Sequence, residues 1–192
     1  MPNRYRTPEA ALEALKDGNA RFAADHMTIF RQDTQMLRQH TLEIQEPFAA
    51  VLACADSRVP VEMIFDQHIG QLFVNRVAGN MVTPEMQASL EYGAALLGVR
   101  LILVLGHARC GAVKAAIDGG ETPGQIGVLV SHIQPAVAAA GKDYEAVSKT
   151  NAQMQAAKLL KGSPLLAGLV AEGKLGIVAG YYDLASGVVK LL

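Results

Sequence analysis

Apolar residues in this chain fall into a few short unbroken runs, with polar stretches of helical spacing between them. Phe48–Ala53 and Leu101–Leu105 are continuously apolar, as strands buried on both faces read. Gln71–Asn75, with Leu72, Phe73 and Val74, predicts another short strand between them. Gly176–Tyr181 and Val188–Leu191 flank an Asp183–Gly187 turn and predict a hairpin. Helix starts are written twice in the same way, Thr7-Pro8-Glu9 and Thr83-Pro84-Glu85, with Thr as N-cap and Pro at the first helical position. The first helix carries Ala11, Leu12, Leu15 and Phe22 at helical spacing, with Gly18 as a weak point. The second runs to about Leu97 and is stopped by Gly98. Val59–Phe65, Gly111–Ile117, Gln134–Ala140 and Tyr144–Leu160 read as further helices, and Gly119–Gly127 as a loop. Asp25–Glu46 is polar and partly helical by pattern, an arm of the kind that packs on a partner subunit.

Strands alternating with helices predict an α/β fold with a mainly parallel central sheet. The expected strand order is 2-1-3-4 plus an antiparallel edge strand, flanked by helices and preceded by an N-terminal helical arm. A chain of 192 residues can bury a substantial core. It carries no repeats or linkers, so residues 1–192 are read as a single domain.

The formal net charge of −1 gives no attraction to nucleic acid or to an anionic membrane. No apolar run reaches the roughly 20 residues a membrane span needs, and no signal-like stretch follows Met1-Pro2-Asn3-Arg4-Tyr5-Arg6. A cytoplasmic protein is expected.

Candidate chemistry sits where the two strongest strands end. Cys54-Ala55-Asp56-Ser57-Arg58 follows the first, and Gly106-His107-Ala108-Arg109-Cys110 follows Leu101–Leu105. These are the chain's two cysteines. In a 2-1-3-4 sheet the two strands are neighbours about 4.8 Å apart, at the switch point where open parallel sheets bind ligands. Two thiolates and one imidazole make a three-ligand zinc set with a fourth position open for chemistry. The competing reading of the cysteines is one disulfide, which a reducing cytosol disfavours. A lone buried Cys is usually a small core residue, and a lone His-x-x-Cys is weak. It is the joint pattern, with Asp56 and Arg58 beside the first thiol, that favours metal.

These segments resemble the β-class carbonic anhydrases, zinc enzymes that hydrate carbon dioxide. Cys54–Arg58 and Gly106–Gly111 match that family's two signature segments; Gly70–Val74 and Arg76–Asn80 match the stretch between them, and Gly180-Tyr181-Tyr182-Asp183 its late strand and turn. The resemblance implies Cys54, His107 and Cys110 as ligands of one Zn2+ per subunit, and Asp56 and Arg58 as the pair beside it. It implies Gln45, nine residues before Cys54, as a hydrogen-bonding substrate residue. Phe73 and Tyr92 become pocket residues and the Gly111 amide a contact for bicarbonate. In the family, residues like Gln45, Phe73 and Tyr92 come across a dimer interface, so a homodimer or a homotetramer built as a dimer of dimers is implied.

The implied activity is zinc-dependent, reversible hydration of carbon dioxide to bicarbonate and a proton, by attack of zinc-bound hydroxide. Held by Arg58, Asp56 would orient the attacking water; released, it could take the fourth zinc position and close the site. Alternatives are a zinc hydrolase acting on carbon disulfide or carbonyl sulfide, a non-catalytic zinc- or bicarbonate-binding protein, and a thiol redox protein. His26, His40, His68 and His132 read as surface or packing residues. Two thiolates cancel the charge of zinc, so its water should be less acidic than the value of about 7 reached with three imidazoles. Turnover is therefore expected to rise with pH through the mildly alkaline range. A kcat/KM profile already flat below neutral pH contradicts this.

Overall fold

The computed structural model describes residues 5–29 and 34–192. Five strands, β1 (Ala49–Ala53), β2 (Leu72–Arg76), β3 (Leu101–His107), β4 (Gly176–Tyr182) and β5 (Val189–Leu191), form one sheet in the order β2-β1-β3-β4-β5. The first four run parallel, and β5 pairs antiparallel with β4 at the edge. This is the α/β arrangement that the apolar runs predict.

Every residue of β1 and β3 is buried, because helices cover both faces of the sheet. Side chains alternate between faces along each strand. Leu101, Leu103 and Leu105 join Val51, Leu15 and Phe65 on one side. There the sheet is covered by α1 (Pro8–Ala23) and α3 (Val61–Ile64). Ile102 and Val104 join Leu52, Leu90, Leu159 and Leu166 on the other. That side is covered by α4 (Pro84–Leu96), α7 (Tyr144–Gly162) and α8 (Pro164–Ala171). Helices α2 (Thr34–His40), α5 (Gly111–Asp118) and α6 (Ile126–Ala140) complete the set.

The Thr-Pro signals cap as expected: Thr7 accepts from the Ala10 amide and Thr83 from the Met86 amide. Other boundaries differ. Among the described residues of the polar Asp25–Glu46 stretch, the α-helical part is Thr34–His40; residues 30–33, like 1–4, lie outside the described part. Helix α6 begins at Ile126, eight residues ahead of the expected Gln134, so the predicted loop is shorter. Pro135 lies inside it, and proline disfavours both its own place in a helix and the helical backbone just before it. Helix α8 was not foreseen, although Ser163-Pro164 repeats the same cap, Ser163 accepting from the Leu166 amide. Strand β3 runs two residues past Leu105 and ends on His107, opposite Tyr182.

Near that end α7 approaches the sheet closely. A Cβ on Gly106 would lie 3.0 Å from the Ser148 carbonyl oxygen and 3.3 Å from the Ala152 methyl, so the glycine is what allows the contact. Leu103, inside β3, is 1% exposed. Leu103→Ala is expected to cost about 2–5 kcal/mol in urea unfolding; a loss under about 1 kcal/mol would mean that the sheet closes the cavity.

Candidate functional site

Strand pairing decides which side chains meet. Ala53 lies opposite Leu105, so Cys54, the next residue, leaves β1 beside the end of β3, where His107 stands. The chain then turns through Ala108 and Arg109. The Ala108 amide continues the ladder to the Tyr182 carbonyl, and Arg109 takes a left-handed φ of 52°, uncommon for a residue with a side chain. That turn brings Cys110, the N-cap of α5, back over the strand end.

The two sulfurs lie 3.9 Å apart, and donor atoms of Cys54, His107 and Cys110 all fall within 4.8 Å of one another. All three residues are buried. Among the described residues this is the one group of three or more His, Cys, Asp or Glu able to hold a metal ion. The His107 Nδ1 lies 2.8 Å from the Ala108 carbonyl. A carbonyl only accepts, so Nδ1 carries a proton, and in the neutral imidazole the lone pair is then on Nε2. That Nε2 is buried with no hydrogen-bond partner. An imidazole whose other nitrogen donates to a carbonyl is a typical metal-ligand geometry, and a soft donor set of two sulfurs and one nitrogen suits zinc.

The thiols are unequal. Cys54 is pulled well below the ordinary thiol range, first by the Cys110 thiol donating to it and, less strongly, by the Gly79 and Asp56 amides, against the opposing effect of burial. Cys110 is pushed up, first by its hydrogen bond to Cys54 and then by burial and the Cys54 charge. One proton leaves readily; removing the second calls for a cation.

Asp56 stands beside this group, bonded twice to the Arg58 guanidinium, Nε to Oδ1 at 2.9 Å and Nη2 to Oδ2 at 2.8 Å. The Arg58 amide donates to Oδ1 as well. Together these hold the carboxyl at about 2, the Arg58 side chain first and burial opposing. Arg58 Nη2 also donates to the Arg109 carbonyl, tying the first motif to the turn of the second.

Gln45, Phe73 and Tyr92 are not brought to this point within one chain. Gln45 is exposed ahead of β1, on the far side of a strand about 17 Å long at about 3.3 Å per residue. Phe73 is level with Ala50, near the start of its strand, and stacks on Tyr92 with ring centroids 6.2 Å apart. Gly111 opens α5 next to Cys110, with open space where a Cβ would be. His26 and His40 are exposed, and His68 and His132 half-buried, outside the cluster. A cavity of about 610 Å³ lined by Phe48, Asp66, His68 and Gln71 lies toward the other end of the strands and contains none of the three donors.

Sequence reasoning missed four supporting residues. Arg76 donates from Nε to the Cys54 carbonyl at 3.0 Å and from Nη2 to the Asp56 carbonyl at 2.6 Å. The Gly79 amide donates to Cys54 Sγ at 3.3 Å. Ser148 and Asn151, on α7, bond the His107 and Gly79 carbonyls. Arg76 and Gly79 belong to the Arg76–Asn80 stretch already singled out. Ser148 and Asn151 carry one signal, polar residues at the inward positions of a helix.

The fold and this donor group define a class. A family model described as carbonic anhydrase matches residues 49–189, and the chain belongs to that family, in its β class. It is 40% identical over 204 residues to a carbonic anhydrase of Mycolicibacterium smegmatis, spanning 100% of this chain and 95% of that protein. It is 36% identical over 195 residues to carbonic anhydrase 2 of Mycobacterium tuberculosis, spanning 97% and 93%. Among solved structures, a Coccomyxa β-carbonic anhydrase in complex with acetazolamide superposes with a TM-score of 0.75 at 26% identity, over 94% of this chain and 84% of that one.

The Asp56 carboxyl has a checkable pH signature. Its folded pKa, about 2, lies below the unfolded value of about 3.9, so the stability it contributes is present above about pH 4 and lost as pH falls toward 2. In urea unfolding, the gap between wild type and Asp56→Asn should be constant from pH 7 to 5 and narrow below 4. The thiols protonate in both chains, so the difference isolates the carboxylate. A gap that is unchanged across that range means Asp56 is not held.

Proposed function

We propose that this protein catalyses the reversible hydration of carbon dioxide to bicarbonate and a proton, with one zinc ion per subunit on Cys54, His107 and Cys110. The observation that carries the reading is the buried group of two thiols and one free imidazole nitrogen with an ionised Asp56 fixed beside it. Zinc bound there supplies Lewis acidity, making water a nucleophile at accessible pH.

The chain's own residues do the rest. Cys54 and Cys110 bring negative charge, and His107 brings a neutral nitrogen. Asp56, held on both oxygens by Arg58, accepts a hydrogen bond from the attacking water and aims it. The two-point grip supports this role over the closed arrangement in which Asp56 leaves Arg58. The Gly111 amide, at the open start of α5, faces the bicarbonate product.

Gln45, Phe73 and Tyr92 act on the site of a second copy in a homodimer, alone or doubled into a tetramer. Strand β2 is an open edge of the sheet. Tyr92 and Leu96, four residues apart on one face of α4, are 47% and 71% exposed. Such an edge with apolar neighbours calls for cover. No helix among the described residues is long and apolar enough to cross a membrane, and we place the protein in the cytoplasm, where its thiols stay reduced. Residues 1–192 act as one domain.

The test is stopped-flow carbon dioxide hydration with zinc measured on the same sample. One zinc per chain and hydration far above the uncatalysed rate are expected. Asp56→Asn should keep the zinc and lose roughly 100-fold or more in kcat, the scale of a positioned proton acceptor. Zinc-loaded protein without hydration would refute the reading, and near-normal Asp56→Asn activity would remove Asp56 from it.

A further inference from the structure

The buried face of α7 carries three polar residues, Ser148, Asn151 and Gln155, at 2%, 1% and 4% exposure. Buried amides without partners are costly, and here every bond goes to a backbone or to one another. Ser148 Oγ donates to the His107 carbonyl at 2.9 Å. Gln155 accepts from the Val82 amide at 2.8 Å and donates to Asn151 Oδ1 at 3.2 Å. With its oxygen engaged in that way, Asn151 turns Nδ2 to the Gly79 carbonyl, 3.0 Å away. Gly79 sits at a φ of +82°, and a Cβ there would come within 2.8 Å of Ile133. Its amide is the one that donates to Cys54 Sγ.

We propose that Asn151 is a positioning residue for the metal: by gripping the Gly79 carbonyl it aims the Gly79 N–H at Cys54 Sγ. This rests on the reading above that Cys54 is a zinc ligand. Its consequence is electronic as well as geometric. An N–H donated to a ligand sulfur withdraws electron density from it, and outer hydrogen bonds of this type orient ligands and tune the metal. Gln155 acts one step further back, by fixing which way the Asn151 amide points. One helix thus steadies both strand ends of the centre, His107 through Ser148 and Cys54 through Asn151 and Gly79.

The test replaces Asn151 by Leu, of similar volume and without a donor, and loads wild type and variant with cobalt(II). The thiolate-to-cobalt charge-transfer band reports the electron density on sulfur. In Asn151→Leu the band should move to longer wavelength at one cobalt per chain, and zinc affinity, by chelator competition, should fall about 10-fold. Ser163→Ala, at the C-cap of the same helix, removes a part-buried bond to the Glu91 carboxylate that leads to no ligand; it should lower stability and leave the band in place. Should Asn151→Leu not fold, Gln155→Met releases the Asn151 amide and should shift the band the same way by less. A wild-type band with neither variant shifted overturns the proposal alone. Wild type with no thiolate band overturns it together with the zinc reading.

Discussion

Two buried sulfurs 3.9 Å apart are the constraint on which the rest of the molecule turns. In a dry site they cannot both carry charge unaided, and the chain supplies only partial relief: amide N–H groups on Cys54, and a thiol proton shared from Cys110. A divalent cation resolves the conflict. The sheet exists in a form that creates this conflict. Strands β2 and β3 flank β1 on opposite sides, so the loops leaving β1 and β3 open onto one crevice. A sheet in the order 1-2-3 would have put β2 between the two motifs and left each thiol a lone core residue.

Much of this was legible because the motifs lie against strands whose apolar character is unambiguous. Phe48–Ala53 and Leu101–Leu105 fix where Cys54 and His107 must emerge, and neighbouring strands bring them within reach. What stayed hidden depends on partners far away in sequence. Nothing local to Asn151 says that its amide will reach the Gly79 carbonyl, 72 positions away. The first eight residues of helix α6, ahead of Gln134, are held as helix by packing on α5 and α7, which local sequence does not report. Gln45, Phe73 and Tyr92 were named by resemblance alone, and one chain's strand geometry keeps them apart from the donor group.

The centre is built in two layers with different physics. The floor is dry: three donors, the Gly79 amide and the α7 polar stripe are all buried, and the stripe's bonds end on the backbone that carries the donors. Its geometry is set by packing, and a shift there is felt by every neighbour. The rim is half-wet. The Asp56 and Arg58 side chains are 16% and 50% exposed, so their attraction is screened and their hold is a matter of geometry more than of raw charge. Two parallel bonds supply that geometry, as guanidinium and carboxylate planes match.

The rim also closes a mechanical loop. Arg58 reaches the Arg109 carbonyl in the left-handed turn that presents Cys110, and Arg76 holds the carbonyls on either side of the Cys54 loop. Asp56 therefore cannot leave Arg58 without freeing one arm of a bridge whose other arm steadies a thiol. A rearrangement of Asp56 toward the donor group would be coupled to the turn that carries Cys110, and so to the floor. The carboxylate that would aim the nucleophile and the turn that would grip the metal are joined through one guanidinium, which favours their moving together over their moving apart.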